Sequence, residues 1–204
     1  MRRLLSGFRI GSGRAERLSD LAAMSASVGA AARFLHPASA KSANASLTLV
    51  ELGHEIAGSR RRLQTRLTRA GFHTIDPRLL CDAATEMVEV VRLIARAVRC
   101  REWLLLSDPD EAQELQSLAG LGAQLVAESA LELASTGAVA GPSEAGDSLK
   151  TRAVLLYDQG IGRAFGECVD PLDVLRQRTL YDALLAVVIG SGSALAALRD
   201  ASAD

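Results

Sequence analysis

Aromatic residues are scarce in this chain, at 3% of 204 residues. A core must therefore be filled by Leu, Ala and Val, and hydrophobic residues, at 49%, supply ample material for one. Leu and Ala favour helices, while the β-branched and aromatic residues that favour strands are sparse, so composition points to an all-α fold. An excess of one charge is also missing. The 23 Lys and Arg face 24 Asp and Glu, for a net charge of −1. That balance gives no support to bulk nucleic-acid binding, which needs a net basic surface. Cysteine is limited to Cys81, Cys100 and Cys168, with no CxxC pair and no Cys/His spacing for zinc. Scattered thiols of odd number fit a reduced, cytoplasmic setting better than a disulfide framework.

Long apolar runs are absent as well. The longest near the C-terminus, 184–189, falls far short of the roughly 20 residues a membrane span needs, so no transmembrane segment is expected. The basic start MRRLLSGFRIGSGR lacks the apolar stretch of a signal peptide and reads as a tail over residues 1–14. No nucleophile elbow, P-loop or dinucleotide fingerprint occurs.

What is present is helical periodicity between clear breaks. The breaks fall at His36-Pro37, Gly71–Pro77, Ser107–Asp110, Ser135–Asp147 and Gly166–Pro171. Asp76-Pro77 and Asp170-Pro171 each suit an N-cap followed by Pro at the first helical position. Leu18, Leu21, Ser25, Val28, Ala32 and Leu35 step by three and four, as do Leu80, Ala84, Met87, Val91, Ile94 and Val98. Leu180, Leu184, Val187, Ser191, Ala194 and Leu198 repeat the pattern. This is the seam of a helix packed alongside its neighbours. The second helix carries Leu49, Leu52, Ile56, Leu63 and Leu67; the fourth and fifth, near 109–136 and 145–166, are less regular. Gly190-Ser191-Gly192 interrupts the last helix where close packing is expected, and Trp103 reads as a packing anchor at the end of the third.

The two halves echo one another. Arg69-Ala70 and Ile75-Asp76-Pro77 recur 94 residues later as Arg163-Ala164 and Val169-Asp170-Pro171. The same offset carries Leu21 onto Leu115. The expectation is one compact domain, a six-helix up-down bundle built from two three-helix repeats over 15–107 and 108–204.

Three features carry candidate chemistry. Glu51, His54 and Glu55 lie within one turn of the second helix, and Glu51-x-x-His54 has the spacing of ferritin-like metal ligands. That architecture needs a second such pair, and neither His36 nor His73 has a carboxylate three residues earlier. Glu86 and Glu89 stand on the third helix; with Glu51 and Glu55 they could hold a hard cation through oxygen. On the residues alone, a solvated helix flank is the simpler reading, because Glu is a good surface helix former. Arg60, Arg61 and Arg62 form a cationic stretch that reads either as contact for an anion or acidic partner or as a solvated face.

With these elements in view, the sequence resembles the PhoU-like proteins, in particular an uncharacterised branch associated with Pit-type phosphate transporters. The stretch VELGHEI at 50–56 resembles the branch's acid-x3-acid pattern. Asp76-Pro77, Leu80, Glu86 and Glu89 follow its third helix, although Thr85 stands where the first acid is usual. In the second half Leu155, Leu156, Tyr157, Ala164, Phe165, Asp170, Pro171, Leu172, Leu180 and Tyr181 follow its apolar and aromatic landmarks.

The resemblance implies a non-enzymatic, cytoplasmic accessory or regulator of inorganic phosphate transport. It would bind a Pit-type transporter or a phosphate-signalling protein, and so attach peripherally at the inner face of the membrane. It further implies a divalent or iron-type metal at Glu51, Glu55, Glu86 and Glu89. The second half departs, with Lys150 and Val154 on the fifth helix and Leu185 and Ile189 on the sixth in place of acids. At most one metal site is therefore expected, in the first repeat, while Leu185 and Ile189 extend an apolar surface suited to a partner or a homodimer. The alternative is a metal-dependent, ferritin-like oxidoreductase using Glu51, His54, Glu55, Glu86 and Glu89.

Overall fold

The computed structural model describes residues 10–36, 44–69, 76–104, 110–139, 144–168 and 170–202. Among these residues it is all-α, with six long helices and no strand: α1 (Ile10–Ala32), α2 (Ala45–Arg69), α3 (Pro77–Leu104), α4 (Asp110–Thr136), α5 (Glu144–Glu167) and α6 (Pro171–Asp200). A short 3-10 turn, Arg33–Leu35, extends α1. The helix α1 begins at Ile10, inside the stretch expected to be a basic tail; only residues 1–9 of that stretch lie outside the described residues.

The apolar seams read from the sequence are the buried faces. Leu80, Ala84, Met87, Val91, Ile94 and Val98 of α3 are all buried, as are Leu180, Leu184, Val187, Ser191, Ala194 and Leu198 of α6. On α1, Leu21, Ser25, Val28 and Ala32 are buried, with Leu35 just beyond. On α2, Leu49, Ile56, Leu63 and Leu67 are buried and Leu52 is half-buried. Each fully buried Leu, Ile or Met side chain contributes about 1.5–3 kcal/mol relative to exposure, which is why the seam dictates which face turns inward. The side chain of Trp103 lies outside the described residues.

The helix ends follow local chemistry. Asp170 caps α6, its Oδ1 accepting from the Leu172 amide at 2.9 Å, with Pro171 at the first position. Asp76 does the same at α3, accepting from the Arg78 amide at 2.7 Å. At the end of α4, Gly137 takes a left-handed conformation (φ 82°), and its amide bonds the Leu133 carbonyl at 3.0 Å. A side chain would be strained at that φ, which is why the chain leaves the helix at a glycine.

The helices α1, α3, α4 and α6 form the centre. α2 packs on α1 and α3, α5 packs on α4 and α6, and α1 meets α4 while α3 meets α6. Exchanging α1–α2–α3 for α4–α5–α6 leaves this set of partners unchanged. Burial does not single out the offset of 94 for α3 and α6: Leu80, Met87, Val90, Ile94 and Ala97 fall on buried residues, but Ala83, Ala84, Val91 and Val98 fall on Gln177, Arg178, Leu185 and Gly192, which are not buried. For α1 and α4 the burial register is instead 95, placing Met24, Val28, Ala31, Ala32 and Leu35 on Ala119, Ala123, Val126, Ala127 and Ala130. In this register Leu21 corresponds to buried Gln116 and not to Leu115.

Small residues let α1 and α4 cross closely. Ser25 Oγ donates to the Ala127 carbonyl at 2.6 Å, while a Cβ at Gly29 would sit 3.6 Å from that of Ala127. Gln116 donates from its side-chain amide to the Leu35 carbonyl. The tightest approach lies between α5 and α6. A Cβ on Gly160 would fall 2.3 Å from Tyr181 Cζ, so glycine is what admits this ring, which is 1% exposed. On the other side of α6, a Cβ on Gly190 would fall 2.6 Å from Leu93 Cδ1, the close packing expected there.

Counting consecutive apolar residues understates α6. Its most apolar 18-residue window has mean hydropathy 1.7, so among the described residues this one helix is long and apolar enough to cross a bilayer. The window tolerates the small residues Gly190, Ser191 and Gly192, which a count of consecutive apolar residues does not. In the bundle α6 packs on α3, α4 and α5, and 44% of this window is buried.

Candidate functional site

The acidic residues singled out in the sequence lie on the α2–α3 hairpin. Two contacts fix its register: Ser46 Oγ donates to Glu102, and Arg60 Nη1 donates to Thr85 Oγ1 at 3.4 Å. Glu89 therefore stands nearly level with Glu55. Glu86 is near the level of Arg60, about 7 Å along the axis from Glu55 and about 14 Å from Glu51 at 1.5 Å per residue. Glu51, His54 and Glu55 are exposed, while Glu86 and Glu89 are half-buried. Glu89 accepts from Arg92 Nη2 at 2.8 Å, one turn along its own helix. Among the described residues, no three His, Cys, Asp or Glu side chains gather in a group able to hold a metal ion. The structure thus places Glu51, Glu55, Glu86 and Glu89 on one hairpin without converging them.

In the second half, Lys150 and Val154 stand 99 residues beyond Glu51 and Glu55, and Leu185 and Ile189 stand 99 and 100 beyond Glu86 and Glu89. At the offset of 94 between the two Asp-Pro pairs, the same acids would fall on Ala145, Leu149, Leu180 and Ala183. None of these is acidic, and Leu180 and Ala183 are core residues. Ile189 is exposed and Leu185 half-buried against the core, so of the two only Ile189 belongs fully to the surface.

The arginine stretch holds the best-defined electrostatic arrangement. Asp20, on α1, is 4% exposed. Its Oδ1 accepts from Arg62 Nε at 3.0 Å and its Oδ2 from Arg66 Nη1 at 2.8 Å. Arg62 Nη2 also donates to the buried Ser59 Oγ at 2.8 Å. A carboxylate leaves water at this depth only with charge-assisted partners, and α2 supplies two, one turn apart. Arg62 is thus first a clasp between α1 and α2, whereas the sequence suggested a purely surface cation. Arg60 turns the other way, toward Thr85 of α3, and Arg61 is exposed. Asp20 gave no signal in the sequence, because a helical Ser-Asp pair reads as a surface position until the packing of α1 on α2 is known.

Two further places stand out. A groove of about 820 Å³ runs between α1 and α4 over Gly29 and Gly120, edged by Leu121, Leu131, Arg33 and His36. On the α5–α6 hairpin, Tyr157 donates its hydroxyl to Asp182 Oδ1 at 2.7 Å, and its ring meets Tyr181 edge-on at 6.4 Å between centroids. That hydrogen bond, followed by partial burial and the Asp182 charge, raises the Tyr157 pKa above the ordinary phenol value. No protein-family model matches the chain, and a search of curated proteins finds no match.

Proposed function

We propose that this chain is a PhoU-like accessory protein of inorganic phosphate transport, acting by binding a Pit-type transporter or a phosphate-signalling partner and not by catalysis. The observation that carries the reading is the exchange of halves. Each half offers an Asp-Pro-capped third helix, the first helices α1 and α4 share buried positions, and each half has its middle helix packed on the other two. Duplication of a three-helix unit is the economical account of that agreement, and two such units are what the PhoU-like resemblance implies. The short motifs at 50–56 and 76–89 add acids in the places where that family carries them. The protein would work from the cytoplasmic side, held at the membrane by its partner.

Deletion of the gene in its native host, followed by measurement of phosphate uptake at limiting and replete phosphate, tests this reading. A changed uptake rate restored by the full chain supports it. Uptake that matches the parent strain in both conditions removes it. The ferritin-like alternative rests on the Glu51-x-x-His54 spacing and would need a group of three or more metal-ligating side chains, which the described residues do not bring together.

A further inference from the structure

The clasp between α1 and α2 has an outer face. Beside it, α2 carries a notch of about 430 Å³ lined by Gly58, Arg61, Arg62, Thr65 and Arg66. The notch lies over position 58, which has no side chain. A Cβ there would lie 3.5 Å from Arg62 Nη1, so this nitrogen sits over the gap that glycine leaves. Arg62 is oriented from behind, with Nε on Asp20 and Nη2 on Ser59, both of these buried. Its Nη1 is the end of the fork turned to the notch. Arg66 is fixed by the other oxygen of the same carboxylate.

The described lining is cationic: Arg61, Arg62 and Arg66 are three of its five residues and none is acidic, while Asp20 stands behind it as the shared acceptor of Arg62 and Arg66. Glu55 lies one turn before Gly58 and is not part of the lining. Guanidinium groups held rigidly by buried acceptors have already lost the freedom that binding would otherwise remove. Their planar forks match the paired oxygens of a tetrahedral oxyanion better than a chloride ion.

The geometry points to the Gly58 notch as a binding site for a phosphate-class oxyanion, with Arg61 and Arg62 as the contacting groups and Asp20 as the positioning residue. The site does not depend on the transporter reading, and either can fail alone. Two sources share this chemistry: free phosphate or a small phosphate monoester, and the monoester headgroup of an anionic lipid.

The test uses the full chain. Calorimetric titration with inorganic phosphate and with glycerol phosphate, against chloride at matched ionic strength, reads the free ligand. Co-sedimentation with vesicles containing phosphatidic acid, against vesicles of a zwitterionic lipid, reads the headgroup. Two variants accompany each arm. Arg61→Gln removes an exposed cation, and Gly58→Leu keeps every charge while filling the notch; melting curves establish that both remain folded. Saturable binding in either arm, weakened at least tenfold by both variants, supports the site, and the arm in which it occurs names the source. A response no larger than that of chloride and of zwitterionic vesicles overturns the proposal. So does binding that both variants leave unchanged.

Discussion

Gly160→Ala adds one methyl group to α5, and the structure says where it goes. The new Cβ would stand 2.3 Å from Tyr181 Cζ and 2.5 Å from Cε1 and Oη. Ordinary contact begins about 1 Å further out, and the ring, at 1% exposure, has no open side to retreat to. Overpacking a well-filled core costs about 1–3 kcal/mol, and a rigid ring places this site at the upper end. Alanine restores about 1 kcal/mol of helix propensity relative to glycine. The net expectation is a loss of about 2 kcal/mol, or a Tm lowered by about 4–8 °C for a chain of this size. Gly162→Ala, two residues along the same helix, is the control, since nothing lies within 4 Å of its Cβ. It should gain up to about 1 kcal/mol. Thermal and urea unfolding followed by far-ultraviolet circular dichroism read both variants, and Tyr181→Leu should restore part of what Gly160→Ala loses. Equal stability of Gly160→Ala and Gly162→Ala would refute the reasoning, because propensity alone treats them alike.

Asp20→Asn leaves Arg62 and Arg66 without their carboxylate; since both guanidinium groups reach solvent and regain water, urea unfolding should show a loss of only about 1–2 kcal/mol, not the 3–5 of a fully buried pair. Ser25→Ala removes the buried donor that α1 offers to the Ala127 carbonyl and should cost about 1 kcal/mol in the same assay. Tyr157, whose pKa is raised by its bond to Asp182, should titrate above the ordinary tyrosine value of about 10. Its stabilising contribution is complete below that value and is lost as pH rises through the raised one. Tyrosinate absorbance in a Tyr181→Phe background reads the shift, and Asp182→Asn should lower the midpoint; an unchanged midpoint would contradict the assignment. Gly190→Ala meets only Leu93 Cδ1, the far end of a half-buried side chain free to turn, so unfolding midpoints should be unchanged or slightly raised.

Most of the fold was legible because period and burial coincide. A helix whose apolar residues step by three and four has one face to hide, and the seams of α1, α3 and α6 are the faces that became buried. The Asp-Pro pairs were legible for a similar reason: N-cap chemistry is local, and Asp170 and Asp76 cap as their sequence dictates. Tertiary partners were not. Asp20 sits in a helix like any surface acid, and only the seating of α1 on α2 makes it a buried anchor. The four acids were correctly placed on one hairpin, but convergence of side chains depends on rotation about each helix, which residue spacing leaves open.

The central claim is that this bundle serves phosphate transport through a protein partner. Its most direct measurement is affinity purification of the full chain from the membrane fraction of its native cells after mild crosslinking, with partners identified by mass spectrometry. The account predicts a Pit-type phosphate transporter or a phosphate-signalling protein enriched with the chain and absent from a control purification. Recovery of neither, while the chain itself is recovered intact and folded, would contradict it.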